Sequence, residues 1–352
     1  MATSSDLPKS SIPIFTTVKA YREWRRQAYT EKKSVGFVAT MGALHEGHVS
    51  LVRRSLAEND LTVVSIFVNP AQFAPTEDLT TYPRTLQHDL QVLEATRHLD
   101  TAVPRTTAAL FLPAVHEMYP SGITQNVTAQ KGTFVEVKGY GQQMEGMSRP
   151  TFFRGVSTVV TKLFNIVEPT KTYFGQKDIQ QALLLRRMVS DLLLSHPTPE
   201  NLHIIPTSRD RKTSLALSSR NAYLSPAERE LAAPTLYAAL QEARRSWESG
   251  LPKSECIIRA RELVRLRAEE LAASSDKIEM RLDYIELNDP DTFEQLPDAT
   301  TRVAYALDSA EGEYMKDRPV IVSGAMWVGK TRLIDNMVLG DVEKLGIAVD
   351  EP

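Results

Sequence analysis

The chain has 352 residues, enough for two domains with substantial cores, and a formal net charge of −3 with a pI near 6.2. That balance gives no bulk electrostatic reason to expect nucleic acid or an anionic membrane as a partner. Cys256 is the only cysteine, which excludes a disulfide scaffold and a cysteine-rich zinc site and leaves a reducing cytoplasm as the default location. No apolar run approaches the roughly 20 residues that span a bilayer, and the opening Met-Ala-Thr-Ser-Ser-Asp-Leu-Pro lacks a secretory apolar core.

In chain order, the basic stretch Lys19–Lys33 is interrupted by Glu23 and Glu31 and reads as a surface helix, amphipathic over Val18–Tyr29. Val35, Phe37 and Val38 then suit a buried parallel strand, Gly42 permits a tight turn, and Val49, Leu51 and Val52 begin an apolar helical face. The turn therefore sits at a strand's carboxyl end, where open α/β sheets bind ligands and where the first amides of the next helix face an anion such as phosphate. His45 and His48 are three apart, so both imidazoles project from the first helical turn, with Gly47 letting a ligand approach the backbone. On the residues alone, such a pair also suits a helix cap or a metal. The continuous apolar run Leu61–Val68 completes a βαβ unit and places Asn69, Pro70 and Gln72 at a second carboxyl end. The loop Phe73–Pro83 is polar and punctuated by proline, which suits a lid, a plain surface connection being the alternative.

A helix over Arg84–Arg97, an irregular insertion over Leu99–Ala108 and a short strand at Ala109–Leu112 follow. Gly155–Val167 is helical with a stripe of Val156, Val159, Val160, Leu163, Phe164 and Val167, read as core or subunit interface. Tyr173 and Phe174 form another strand, and Gly175-Gln176-Lys177-Asp178 repeats the strand-to-turn-to-helix pattern. This brings Lys177 and Asp178 to the same sheet edge as His48, with Gln181 one turn into the helix; an ordinary capping Asp beside a solvated Lys explains the pair equally well. Strand Leu202–Ile205 ends at Pro206, and Thr207–Asn221 is a polar, basic loop, because Ser225, Pro226 and Glu228 form a capping-box helix start beyond it. The domain boundary falls here, between 1–206 and 207–352.

Within that loop, the hydroxyls and arginine of Leu217-Ser218-Ser219-Arg220 suit phosphate oxygens. The remainder reads as helices over Pro226–Glu248 and Lys253–Ala273 and as antiparallel strands near Arg281–Leu287, Thr301–Leu307 and Val320–Val322. Gly324–Thr331 matches the Walker A phosphate-loop pattern, but only 21 residues remain after Thr331, too few for the parallel sheet and second carboxylate such a loop needs.

The string Thr40–Leu51 (Thr-Met-Gly-Ala-Leu-His-Glu-Gly-His-Val-Ser-Leu), with Ser65–Phe73 (Ser-Ile-Phe-Val-Asn-Pro-Ala-Gln-Phe), resembles the pantoate–beta-alanine ligases, the pantothenate synthetase family. That family lies within the nucleotidylyltransferase superfamily, which has the His-x-Gly-His motif and is related to class I aminoacyl-tRNA synthetases. Pro113–Pro120, Met144–Pro150, Leu217–Arg220 and the Arg332-Leu-Ile-Asp-Asn336 ending extend the resemblance over Ile14–Leu339. Three features depart from the family pattern: Gln176 replaces a usual Glu, Phe152 a usual His, and Lys212-Thr213-Ser214 stands in a loop that often carries Asp-Gly and is one residue shorter.

The resemblance implies an α/β fold: a Rossmann-like parallel-sheet domain that binds ATP and pantoate, followed by a smaller α+β domain with a short antiparallel sheet that closes over the site. It implies ATP-dependent condensation of pantoate with beta-alanine through a pantoyl adenylate, with magnesium, in a cytoplasmic homodimer. His48, His45, Lys177 and Arg220 would be catalytic. Met41, Gly42, His45, His48, Gly175, Gln176, Lys177, Asp178, Leu217, Ser218, Ser219 and Arg220 would hold the nucleotide. Gln72, Gln181 and Asn69 would bind pantoate, and Asp89 would hold magnesium. A cytidylyl- or adenylyltransferase of the same superfamily is the alternative activity, and a catalytically idle interaction protein the non-enzymatic one.

Overall fold

A computed structural model describes residues 7–74, 79–99, 104–307 and 318–349. Parts of the expected lid (75–78) and of the expected insertion (100–103) therefore lie outside the described residues. The described residues divide into two compact units, one made of those up to 175 and of 180–205, the other of 176–179 and of those from 206 to 349.

The first unit is built on six parallel strands. Strand β1 (Ile14–Phe15) leads through α1 (Val18–Thr30) to β2 (Val35–Thr40), then α2 (Glu46–Glu58) and β3 (Leu61–Ile66). After α3 (Leu86–Ala95) and β4 (Thr107–Phe111) come two one-turn helices, α4 (Val115–Met118) and α5 (Glu145–Ser148), and then α6 (Phe152–Val167), β5 (Lys171–Gly175), α7 (Ile179–Asp191) and β6 (Leu202–Ile205). The spatial order is β1-β4-β3-β2-β5-β6. From β2 the chain first builds outward through β3 and β4, then returns to add β5 and β6 on the other side. The order thus reverses between β2 and β5, and in such sheets the crevice at the carboxyl ends beside the reversal is where ligands bind.

Helices cover the sheet, which is why β2 and β3 could be read as unbroken apolar runs: Val35, Phe37, Val38, Val63 and Val64 are all fully buried. Helix α6 is buried along most of its length, including Val156, Val159, Val160, Leu163 and Phe164, each worth about 1.5–3 kcal/mol when fully removed from water. It begins three residues earlier than the Gly155 start read from the sequence. The two-residue β1 was not anticipated, being too short to show a period. Helix α3 and strands β3 and β4 match the expected elements with ends shifted by one to two residues.

In the second unit, β7 (Met280–Asn288), β8 (Val320–Val328) and β9 (Thr331–Leu339) form an antiparallel sheet in that order. Helices α8 (Thr235–Glu248) and α9 (Lys253–Ala273) cover it through Leu236, Ala239, Leu240, Trp247, Ile257 and Val264.

Two expectations fail here. Thr301–Leu307 is not a strand but the short helix α10 (Arg302–Leu307). Val303, Tyr305 and Leu307 alternate like a strand, but Thr301 Oγ1 accepts from Ala304 N and starts a helix that buries only Tyr305 and Ala306. The helix read as continuous from Pro226 to Glu248 is broken. Its capping box is present, with Ser225 N donating to Glu228 Oε2 and Glu228 N to Ser225 Oγ. Pro234 then lacks the amide for the ladder, and residues 228–232 widen into a π turn before α8 begins.

Candidate active site

Strand β2 ends in a turn that its own side chains tie down. Thr40 Oγ1 donates to Ser65 O and accepts from Gly42 N, anchoring the turn to β3. Gly42 (φ +85°) and Ala43 (φ +52°) both lie in the left-handed region, which a residue with a Cβ enters at a cost of roughly 1–2 kcal/mol. Asp89 from α3 holds this conformation. Its carboxylate is 1% exposed and accepts Ala43 N at 3.1 Å, Leu44 N at 2.8 Å and Thr85 Oγ1 at 3.1 Å. The magnesium role expected for Asp89 finds no support in these surroundings: both oxygens already accept from the protein, and no group of three or more His, Cys, Asp or Glu among the described residues converges to hold a metal. Asp89 is a positioning residue for the turn.

His45 follows as the N-cap of α2, with Glu46 and Gly47 opening the helix. Its Nδ1 accepts from Gly47 N at 3.1 Å, and His48 Nδ1 accepts from His45 N at 3.4 Å, a reciprocal capping box built from two imidazoles. The rings lie 4.2 Å apart, centroid to centroid. A nitrogen that accepts an amide proton carries none of its own, so each neutral ring keeps its proton on Nε2. The expected donors at this turn were the helix amides together with the imidazoles. Because Gly47 N is bonded to His45 Nδ1 and His48 N to His45 O, the imidazole Nε2–H groups are the donors the capping box fixes. Met41 is half-buried between the strand and this cap.

At the end of β3, Asn69 and Gln72 divide the work expected of both. Asn69 is 1% exposed and committed to the protein: Oδ1 accepts from Tyr119 OH at 2.7 Å, and Nδ2 donates to Gln72 Oε1 at 3.0 Å and Gly155 O at 3.2 Å. It therefore orients Gln72 rather than facing a ligand. With its oxygen held, the half-buried Gln72 amide presents its NH₂ as donor. Gly155 allows the close contact that makes this possible, since a Cβ there would stand 2.3 Å from Ala71 O. Burial pushes the Tyr119 hydroxyl well above the ordinary phenol range, against the pull of Arg154 and Asn69, and so keeps it a neutral donor.

Phe152 also finds a job. The Arg149 guanidinium stacks on its ring at 4.0 Å while donating to Gln72 O at 3.2 Å, so the aromatic ring braces a backbone contact under Gln72.

Strand β5 runs beside β2 and ends at Gly175, over which there is open space. Gln181, early in α7, is half-buried and makes no side-chain hydrogen bond to the described residues, whereas its neighbour Gln180 is buried and bonded to Tyr140 O, Gln143 O and Glu145 N. Of the two amides, Gln181 is the one left for a ligand.

Residues 176–179 cluster with the second unit. Asn336 of β9 donates to Gln176 O at 2.9 Å and to Lys177 O at 2.8 Å, and Gln176 Nε2 donates to Asn336 Oδ1 at 3.4 Å. Lys177 Nζ lies 3.7 Å from the exposed Asp178. A cleft in this unit is lined by Lys177, Ser218, Arg220, Tyr237, Arg332 and Asp335. Ser218 caps a 3-10 turn (Ser219–Tyr223) through Arg220 N, and the loop before it is a closed strap: Arg209 pairs with Ala216, and Leu217 N donates to Ser208 O. Arg209 is locked by a bidentate pair to the buried Asp335 at 2.6 and 2.9 Å and stacks 3.7 Å from the Tyr237 ring. Lys177, Ser218 and Arg220 thus converge inside one unit, with Ser219 in the same turn. Sequence reasoning missed Arg209, Asp335 and Asn336 as parts of this site; the Arg332–Asn336 string was visible only as a resemblance.

The family model for pantoate-beta-alanine ligase matches residues 13–338. The pantoate–beta-alanine ligase of Saccharomyces cerevisiae is 40% identical over 336 residues, covering 93% of this chain and 99% of that protein. A pantothenate synthetase structure from Thermus thermophilus superposes with a TM-score of 0.72 at 37% identity, covering 93% of this chain and 99% of the other. The ligase of Francisella tularensis, whose structure holds beta-gamma ATP and beta-alanine, superposes with a TM-score of 0.64 at 30% identity over 93% of this chain and 98% of that one.

Proposed function

We propose, from the premise that this chain belongs to the pantoate–beta-alanine ligase family, that it joins pantoate and beta-alanine by activating the pantoate carboxylate at the α-phosphorus of ATP. The family's reaction consumes ATP to make pantothenate; the pantoyl adenylate is the route assigned here. The observation that carries the reading is the double-histidine capping box, which fixes two neutral imidazoles with Nε2–H donors at the carboxyl end of the central strand β2. In-line attack by a carboxylate on the α-phosphorus builds charge on the phosphate oxygens and the leaving pyrophosphate, and preorganised donors lower that barrier most.

His48 and His45 would donate to those oxygens. Lys177 and Arg220 would neutralise the triphosphate, with Ser218 and Ser219 adding hydroxyl donors. Gly175, Gln176, Asp178 and Leu217 would shape the backbone around the nucleotide, as Met41 and Gly42 would on the histidine side. Gln72 and Gln181 would bind the hydroxyls of pantoate, two neutral amides that leave its carboxylate free to react.

Magnesium, when bound with ATP, would neutralise phosphate charge; the donor set suits an ion carried mainly by phosphate oxygens and water rather than a protein cage. A cytoplasmic homodimer remains part of the reading. Among the described residues no helix is long and apolar enough to cross a membrane.

The test follows the atoms. Pantoate labelled with heavy oxygen in its carboxylate should pass label to AMP when the beta-alanine amine displaces it. Label in inorganic phosphate, or ADP as the product, would mean an acyl phosphate and would overturn the adenylate.

A further inference from the structure

We propose that Asp335 and Asn336, adjacent on β9, are the positioning pair of the nucleotide site, each fixing one of the two segments that supply its cationic donors. The inference rests on the reading of Lys177 and Arg220 as nucleotide donors and goes beyond it in assigning what places them.

Lys177 stands in a three-residue 3-10 turn, too short to hold itself rigidly. Its backbone is gripped from outside by Asn336, whose NH₂ bonds Gln176 O and Lys177 O together at 2.9 and 2.8 Å. Asn336 is 3% exposed, so water cannot substitute cheaply for either bond. Only an amide fits this position, because both partners are acceptors and the third, Gln176 Nε2, is a donor facing Oδ1. That arrangement gives the departure at Gln176 a physical meaning: a carboxylate there would set an acceptor against Asn336 Oδ1.

Asp335, 5% exposed, does the same for the other segment through charge. Its bidentate bond to Arg209 is flanked by Tyr237 stacking and by Arg209 Nη1 donating to Ser214 O at 3.2 Å. These contacts pin the base of the strap that runs into Ser218–Arg220. Both side chains bond to the segments that carry Lys177 and Arg220, so the effect of their variants is expected on ATP rather than on pantoate or beta-alanine.

The experiment is a double-mutant cycle between Asn336→Asp and Lys177→Ala, with kcat and KM for each substrate measured by AMP release, and melting followed alongside. Asn336→Asp keeps the shape and removes both donors. It should lower kcat/KM for ATP about 30-fold or more while KM for beta-alanine moves less than about twofold. In the Lys177→Ala background it should have almost no further effect, since a positioning residue has nothing left to position. A general structural role would instead add its full loss in both backgrounds and depress all three substrates together, which would overturn the proposal. Lys177→Ala with near-parental activity would defeat the underlying site reading. Lys177→Ala strongly impaired beside an unaffected Asn336→Asp would defeat only the positioning pair. Should Asn336→Asp fail to fold, Gln176→Glu serves as the second variant. It should cost about three- to tenfold in kcat/KM for ATP, and no loss would overturn the Gln176–Asn336 match.

Discussion

The histidine turn and Gly324–Thr331 both look like glycine-bearing phosphate turns when read as strings, and their backbones differ in kind. The histidine turn is strand, left-handed turn, then helix: β2 ends, Gly42 and Ala43 reverse the chain, and α2 opens on a cap made of His45 and His48. Gly324–Thr331 matches the phosphate-loop pattern residue for residue, but it is strand, turn, then strand. Residues 324–328 lie in β8, the central strand of the antiparallel sheet, paired with β7 on one side and β9 on the other. Their amides are used by the ladder. Gly329, at φ +52°, and Lys330 are the two residues of the hairpin between Val328 and Thr331, and Lys330 is exposed. A phosphate cradle needs amides or donors that the fold has not already used, and the order of elements decides that, not the glycines.

The comparison can be broken or sharpened by four measurements. His48→Ala is expected to keep the fold and lower turnover by about two to three orders of magnitude, the usual effect of removing one preorganised transition-state donor. Near-parental AMP release would take His48 out of the mechanism. Gln72→Ala should raise KM for pantoate about 10- to 100-fold and weaken discrimination against an analogue lacking a hydroxyl. If Gln72→Ala and Gln181→Ala both discriminate as the parent does, neither amide reads the hydroxyls.

A smaller effect is expected at the far end of α2, where Glu58 accepts from Lys171 at 3.0 Å and Tyr173 OH at 2.9 Å, and His203 stacks on Tyr173. Desolvation holds His203 below the usual imidazole range despite Glu58, with Lys171, Arg54 and Arg186 adding to the shift. Burial raises Glu58, but the bonds from Lys171 and Tyr173 and the charges of Lys171 and Arg54 bring it below its ordinary value. Both folded-state values are lowered, so the unfolded chain binds more protons and stability falls as pH drops. For His203 the loss begins below its unfolded value near 6.5, and for Glu58 only in the carboxylate range. Between about pH 7.5 and pH 5.5, His203→Gln should therefore lose about one to three degrees less in melting temperature than the parent. Equal losses would remove His203 as the titrating group.

The smallest effect is predicted at the look-alike: Lys330→Ala should leave KM for ATP within about twofold of the parent. A large rise would reinstate the phosphate loop.

Local patterns carried much of the molecule. The apolar runs of β2 and β3, the stripe of α6 and the capping box at Ser225 each depend on neighbours in sequence, and each is where it was expected. So are the placement of His45 and His48 at the start of a helix and of Lys177 at the end of a strand. Thr301–Leu307 and the break at Pro234 failed for a local reason too, because a capping threonine and a missing amide were outweighed by the hydrophobic period.

What only the tertiary structure decided is the assignment of jobs among residues of the same chemistry. Asp89, Asn69 and Gln180 have side chains that could serve a ligand, and all three are spent on the protein, while the Gln72 NH₂ and the Gln181 amide make no hydrogen bond to the described residues. Asn336 reaches Lys177 across 159 positions of sequence, and Asp335 reaches Arg209 across 126. No window of sequence contains either pair. A polar side chain's role is set by which partners folding brings within about 3 Å of it, and composition and period are blind to that distance.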